Sequence, residues 1–383
     1  MAKNLPILKA AVVFILCISA CSVLQPCQIE TQLPSYPLAN IPITRAVTSP
    51  TSIVPTQTNK PEPTLTPTII IPTPATMTTL LFTGVIVPAR CVQAALDRLG
   101  NEEHPYEEVS DIIQSADYAM GTFNAAMSDI PPHTGCVSTY ILVGSPQNAD
   151  ALARAGFDGM SVATNHIKDC GLTNCGDRAF MDTLANLNRV GIQTVGAGKN
   201  ELEALQPLVI TIHGVRFGIV SQGQIEQGGV YASHERAGIA HLTQENINSA
   251  IQAARKLADV VIFMPHWGPE DSSTPNWIQL NLAHTLVDSG ADLVVGNHTH
   301  VVQGYQKIDH TWVFYGLGNF VFDQWQRDHQ QGVMLLIRFH GTQMLDFEWI
   351  PTHVDKDGRV HLADDAESAE IIQRIDQASV NLK

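Results

Sequence analysis

Residues able to do chemistry gather in four short runs: ATNHIKDCG at 163–171, MPHWGPE at 264–270, GNHTH at 296–300 and GLGNF at 316–320. His166, His266, His298 and His300, with Asn165, offer neutral imidazole and amide-oxygen donors of the kind that zinc, manganese or iron accept. A single histidine after a strand is usually a hydrogen-bonded loop residue. Several strand-end runs in one chain, one of them an H-x-H, point instead to a shared site. Trp267 is read as a residue stacking on a ligand, with core packing as the competing role. The GLGN run reads as a turn that needs a positive φ, because no GxGxxG or Walker pattern accompanies it.

The segments around these runs alternate between strand and helix patterns. Leu80-Leu81-Phe82 opens a strand. A helical pattern over 149–155 leads into a strand at 159–163, and another over 180–190 leads into 192–195. Residues 208–212 and 215–220, separated by His213-Gly214, read as a hairpin. Ile247, Ile251, Ala254 and Ala258 mark a helix face before the apolar run 260–264, which has the composition of a strand covered on both sides. The unit recurs as a helix over 278–287 and a strand at 293–295, followed by strands at 311–315, 333–339 and 344–349. The expected fold is an α/β domain with two packed sheets and helices outside, over residues 78–355. Residues 356–383 read as a polar tail with a short helix near 367–378 that docks on the surface. In such sheets the carboxyl ends of the strands line the ligand crevice, so runs more than a hundred residues apart can converge there.

The chain of 383 residues carries 22 basic and 37 acidic side chains, with a pI near 5.3. It offers no basic field for nucleic acid. Its first 21 residues place Lys3 and Lys9 around an apolar run too short for a comfortable span, ending in Ile18-Ser19-Ala20-Cys21. That reads as a signal peptide with a lipobox in which Cys21 is acylated; an ordinary signal peptide or an uncleaved anchor is the competing reading. Residues 22–77 are dense in Pro and Thr and poor in aromatics, a composition suited to an extended tether reaching on the order of 100 Å or more. The expectation is an exported lipoprotein, anchored to a membrane through lipid and displayed at the cell surface or periplasmic face. In an oxidising compartment Cys170 with Cys175, and Cys91 with Cys136, are conceivable disulfides.

The runs HWG, DSGADLVVGNHTHVVQGYQ and FYGLGNFVFDQ, within a stretch from about Leu81 to Ile350, resemble the capsule synthesis protein CapA family. The resemblance implies a metallophosphatase-like two-sheet sandwich flanked by helices. It also implies a divalent metal (Mn, Fe or Zn) at the strand ends and a role with an anionic polymer such as poly-γ-glutamate, in company with a membrane synthase complex. Carried over position by position, Asn165, His266, His298 and His300 are metal ligands and His166 a proton donor. Arg90 and Glu270 fall where substrate is oriented. Two positions depart from the pattern: the opening motif, similar to GDIMxGR, reads GVIVPAR with Val85 in place of an acid, and a motif similar to NLE reads Asn124-Ala125-Ala126. Without a bridging carboxylate, one ion, or none, is expected rather than two. Two functions follow: a metal-dependent hydrolase acting on an amide or ester, or a protein that holds polymer or a synthase partner without turnover. Asp169 and Asp129 remain candidates to replace a lost ligand.

Overall fold

The computed structural model describes residues 76–383 except 131–132, 172, 226–228, 381 and 383. The proposed Cys21 acylation site, the signal peptide and nearly all of the tether lie outside the described residues. Residues 71–383 belong to one compact unit.

Two mixed sheets face each other. The first has eight strands, in the order Val360–Leu362, Gln343–Val354, Gln331–His340, Met77–Ile86, Tyr118–Phe123, Gly159–Ser161 and Gln193–Val195, with Asn319–Val321 paired beside the end of Met77–Ile86. The second has six, in the order Tyr305–Ile308, Thr311–Phe314, Leu293–Val295, Val260–His266, Val215–Gly223 and Leu208–Ile212. Pairing is parallel from Met77–Ile86 through Gln193–Val195 in the first sheet and through the middle of the second; it is antiparallel at the hairpins and between Met77–Ile86 and Gln331–His340.

Side-chain alternation explains the layering. Along Val260–His266 every residue is buried, yet Val260, Ile262 and Met264 face Leu80, Phe82 and Met120 of the first sheet. Val261 and Phe263 face the other way, onto Ile247 and Ile251 of helix Gln244–Leu257 and Leu286 of helix Trp277–Ser289. Successive strand residues point to opposite faces, so a continuous apolar run is what a strand covered on both sides requires. The outer face of the first sheet is closed by Leu96, Leu152 and Phe180 from three further helices. The result is helix, sheet, sheet, helix.

Helix boundaries follow local chemistry. Thr243 caps Gln244–Leu257 by accepting from Asn246 N. Asn276 and Gln279 form a reciprocal capping box at the start of Trp277–Ser289, which satisfies two of the orphan amides of its first turn. The stretch after 355 is built into the sandwich. Val360–Leu362 extends the first sheet, and Ile371 and Ile375 of helix Asp365–Val380 are fully buried in the core between the sheets. A polar-looking sequence with isoleucines four apart has room for one buried stripe. No helix among the described residues is long and apolar enough to cross a membrane.

Candidate functional site

Parallel strands deliver the reactive segments to one edge. Met77–Ile86 leads to Arg90, Tyr118–Phe123 to Asn124, Gly159–Ser161 to Asn165 and His166, and Leu293–Val295 to His298 and His300; His266 ends its own strand. The backbone bridge between His266 and Asn297 ties two of these ends together.

Asn165, His166, His266, His298 and His300 are all buried. His266 Nε2 lies 3.1 Å from Asn165 Oδ1. The His266 and His298 rings are 4.5 Å apart, and those of His298 and His300 6.2 Å. The Nδ1 atoms of His266 and His298 are buried without a hydrogen-bond partner, which is rare for a buried polar atom in a native protein and marks a place where a ligand belongs. Burial holds His266 well below the usual imidazole range, reinforced by the neighbouring histidines. His298 is pushed down to about 3, mainly by burial and then by His300 and His166. His300 is lowered by burial, against the opposing effect of its bond to Asn319. Three uncharged imidazoles with their lone pairs available result, the form in which histidine binds a metal.

The next layer fixes orientation. Asn319 Nδ2 donates to His329 O at 2.9 Å, so its Oδ1 is the acceptor for His300 Nδ1 at 2.8 Å. The His300 proton is thereby set on Nδ1 and its Nε2 keeps the lone pair, the usual support for a ligating imidazole. Gly318 adopts φ 75°, so the GLGN run is a turn that needs glycine, and the same turn presents Asn319. His166 Nδ1 donates to Asp169 Oδ2 at 2.9 Å, and that oxygen also accepts from Leu142 N at 2.6 Å. His166 N in turn donates to Asn124 Oδ1 at 3.1 Å. Asp169 thereby orients His166. Asp129 is an exposed surface residue paired with Arg178.

Two cavities flank the histidines. One, about 370 Å³, is lined among others by Arg90, His166, Glu270, His300 and Trp325. The second, about 650 Å³, is lined by Asn165, Gln224, Tyr231, His241, Glu270 and His298 among others. Glu270 is half-exposed, its Oε1 3.9 Å from His300 Nε2.

Arg90 reaches the first cavity with its charge already engaged. It pairs with Asp323, with Nε 3.1 Å from Oδ1 and Nη2 in closer contact, and Nη1 donates to Thr139 O at 2.9 Å. Its guanidinium also stacks 4.7 Å over Phe322. Of its five N–H groups, one on each terminal nitrogen remains for a ligand. Trp267 corrects the sequence expectation of a substrate contact. It is fully buried, lines neither cavity, donates from Nε1 to Tyr315 O at 3.0 Å and stacks on Tyr315. Its ring forms a floor beneath the loop, where a Cβ on Gly296 would meet Trp267 Nε1 at 2.4 Å and Tyr315 O at 2.3 Å. Lys168 is committed to Ala237 O and Asp177 and lines neither cavity. Both conceivable disulfides form, Cys91 to Cys136 and Cys170 to Cys175; the first borders the smaller cavity.

Sequence reasoning missed Asp323 and His329, and read Asn319 only as part of a turn. Asp323 follows FVF in the same run that marked the family, a run that holds no sign of its partner Arg90. His329 is buried, with Nε2 3.0 Å from Asp271.

Among the described residues no group of three or more His, Cys, Asp or Glu side chains closes on one point as a completed metal site does. The donor chemistry nevertheless fits a single divalent cation: Asn165 Oδ1 and three uncharged imidazoles, two with orphaned Nδ1 atoms. Asn165, His266, His298 and His300 would hold the ion, which would supply Lewis acidity at the strand ends. Val85 and Ala126, where acids would bridge a second ion, are fully buried and apolar.

The fold and site together define an α/β two-sheet sandwich with a histidine-lined cleft at its strand ends. Residues 79–324 match the family described as bacterial capsule synthesis protein PGA_cap, and the chain belongs to that family. It is similar to the capsule biosynthesis protein CapA of Bacillus anthracis, 29% identical over 276 residues that cover 70% of this chain and 66% of the relative. It is similar also to the PGA biosynthesis protein CapA of Bacillus subtilis (strain 168), 28% identical over 68% of this chain and 66% of that one. The matched stretch thus spans just under two thirds of either relative. Among solved structures, a novel phosphatase from Mycoplasma pneumoniae aligns with TM-score 0.45 at 9% identity, over 79% of this chain and 100% of that one. A 5'-nucleotidase precursor from Thermus thermophilus aligns with TM-score 0.44 at 14% identity, over 79% and 59%.

Proposed function

We propose that this chain acts in the synthesis or handling of poly-γ-glutamate capsule polymer outside the cytoplasm, through a centre that holds one divalent Mn, Fe or Zn ion. Family membership supports the polymer, and the names of the two CapA relatives point the same way. The observation that carries the centre is the convergence of buried His266, His298 and His300, with ring centroids 4.5 and 6.2 Å apart in succession, beside Asn165 Oδ1 at the strand ends. Asn319 presents His300 with Nε2 unprotonated, and Asp169 holds His166 so that its Nε2 is the atom that exchanges a proton. When bound, the ion polarises a carbonyl or phosphoryl oxygen and makes a bound water more acidic. His166 then serves as general acid toward a leaving group in the smaller cavity. Glu270 and the two unused Arg90 N–H groups orient substrate there. Residues 1–21 export the chain as a lipoprotein acylated at Cys21, residues 22–77 tether it, and a membrane synthase complex is its working partner.

A second reading, polymer binding or synthase scaffolding without turnover, is favoured by Val85 and Ala126, which deny the centre two carboxylates. Metal analysis of the full chain purified without chelator, followed by incubation with poly-γ-glutamate, separates the two. One bound ion per chain, lost in His298→Ala, together with shortening of the polymer, supports the hydrolase. Bound ion without shortening favours the scaffold, and no ion after reconstitution refutes the centre.

A further inference from the structure

Among the described residues the two cavities share only Glu270, and the reactive residues are divided between them with near regularity. His166 and His300 line the smaller cavity, whereas their sequence neighbours Asn165 and His298 line the larger. The histidine group thus sits on the divide between two lobes, and neither lobe is an enclosed cavity. A site built for a chain end places its reactive groups at the bottom of one blind pocket. Here the reactive groups lie in the middle of the cleft, with binding space to either side. Each lobe exceeds the roughly 300 Å³ at which small-molecule sites begin.

The lobes also differ in chemistry. In the smaller one Arg90 is paired with Asp323 and His329 Nε2 lies 3.0 Å from Asp271, and exposed Tyr140 and Trp325 stand at its edge. Among the described residues, the larger lobe has Glu270 as its carboxylate and offers amides and rings: Gln224, Asn276, Tyr231 and His241. His241 stacks on Tyr231 with ring centroids 3.8 Å apart, and Tyr231 is held in place through its hydroxyl by Ile225 N and O. Carboxamides both donate and accept, which matches the alternating N–H and C=O of an amide-linked chain, and flat rings suit the planar amide face.

We infer that the cleft binds an internal stretch of an extended polyamide across both lobes, with one amide link at the divide formed by Glu270 and the histidines, and that no chain end is needed for binding. This inference rests on the polymer reading of the preceding section.

The test measures affinity of the full chain for fluorescent γ-linked glutamate oligomers of about ten residues, uncapped or acetylated and amidated at the two ends, and for the corresponding dimer. Capped and uncapped long oligomers are expected to bind alike. The dimer, which can fill only one lobe, binds about tenfold or more weakly, and His241→Ala and Trp325→Ala each weaken the long oligomer severalfold while leaving the dimer less affected. Binding that requires a free end, or that responds to substitutions in one lobe only, overturns the inference and leaves the polymer reading standing. Binding of no oligomer, capped or free, overturns both.

Discussion

Removing Asp323 should damage the protein out of proportion to the size of the change. The Asp323 side chain is 4% exposed and that of Arg90 13%. Asp323 accepts from Arg90 Nε and Nη2 and also from Cys91 N at 2.9 Å. In Asp323→Ala the guanidinium stays in place, held by Thr139 O and the Phe322 face, but its counter-charge is gone and a backbone N–H loses its acceptor. Breaking a buried pair from one side costs about 3–5 kcal/mol. Replacing both members with apolar residues of similar volume, as in Arg90→Met with Asp323→Leu, removes the stranded charge and should recover much of the loss. Urea unfolding of the full chain gives the readout, with Asp323→Ala shifting the midpoint at constant slope. A cost under about 1 kcal/mol, the value of a solvated surface pair, would refute the description of this pair as buried. A double variant no better than Asp323→Ala would refute the stranded-charge argument.

Asn319→Ala should weaken metal retention about 10–100-fold, because it frees the His300 ring and its tautomer while leaving all four donors in place; competition with a chelator measures it, and an unchanged affinity would remove Asn319 from the support of the site. Reducing Cys91–Cys136, which closes a loop of sequence separation 45, should cost about 4 kcal/mol on the chain-entropy account, read as a lower unfolding temperature in the Cys136→Ser variant. Gly296→Ala should destabilise by about 1–3 kcal/mol or more through its clash with Trp267 and Tyr315, seen in the same unfolding assay. His361 is held above the ordinary imidazole range: burial lowers it, but its bonds to Asp355 and Glu108 outweigh that effect. Its contribution is therefore complete below about pH 6.5, the unfolded value, and is lost as pH rises through the higher folded value. His361→Gln should flatten the stability profile in that window; an unaltered profile would show that the pair contributes nothing.

What was legible in the sequence followed periodicity. Residues 260–264 and Leu293–Val295 were readable as buried strands because a short, continuous apolar run rich in β-branched residues suits little else than a strand covered on both faces. The hairpin at His213-Gly214 was readable because its turn is local. Tyr118–Phe123 was not readable, since its Gly121 and Thr122 dilute the apolar signal that burial on both faces would otherwise leave. Asp323 and Asn319 act only through partners 233 and 19 residues away, and no local pattern encodes such a pairing. Trp267 could be read two ways because an indole serves equally as floor or as ligand platform. The core burial of Ile371 and Ile375 was hidden by the charged Glu370, Arg374 and Asp376 around them.

His298 and His300 adopt φ of 108° and 60°, in the left-handed region that residues other than glycine occupy at a cost of about 1–3 kcal/mol each. Glycine would be the comfortable choice at both positions, and selection for stability alone would drift toward it. The loop therefore records a conflict of interest within the molecule. A lineage that lost its need for the cleft would be expected to relax here first, so side chains retained at these two awkward positions serve as a gauge of whether the centre is still in use.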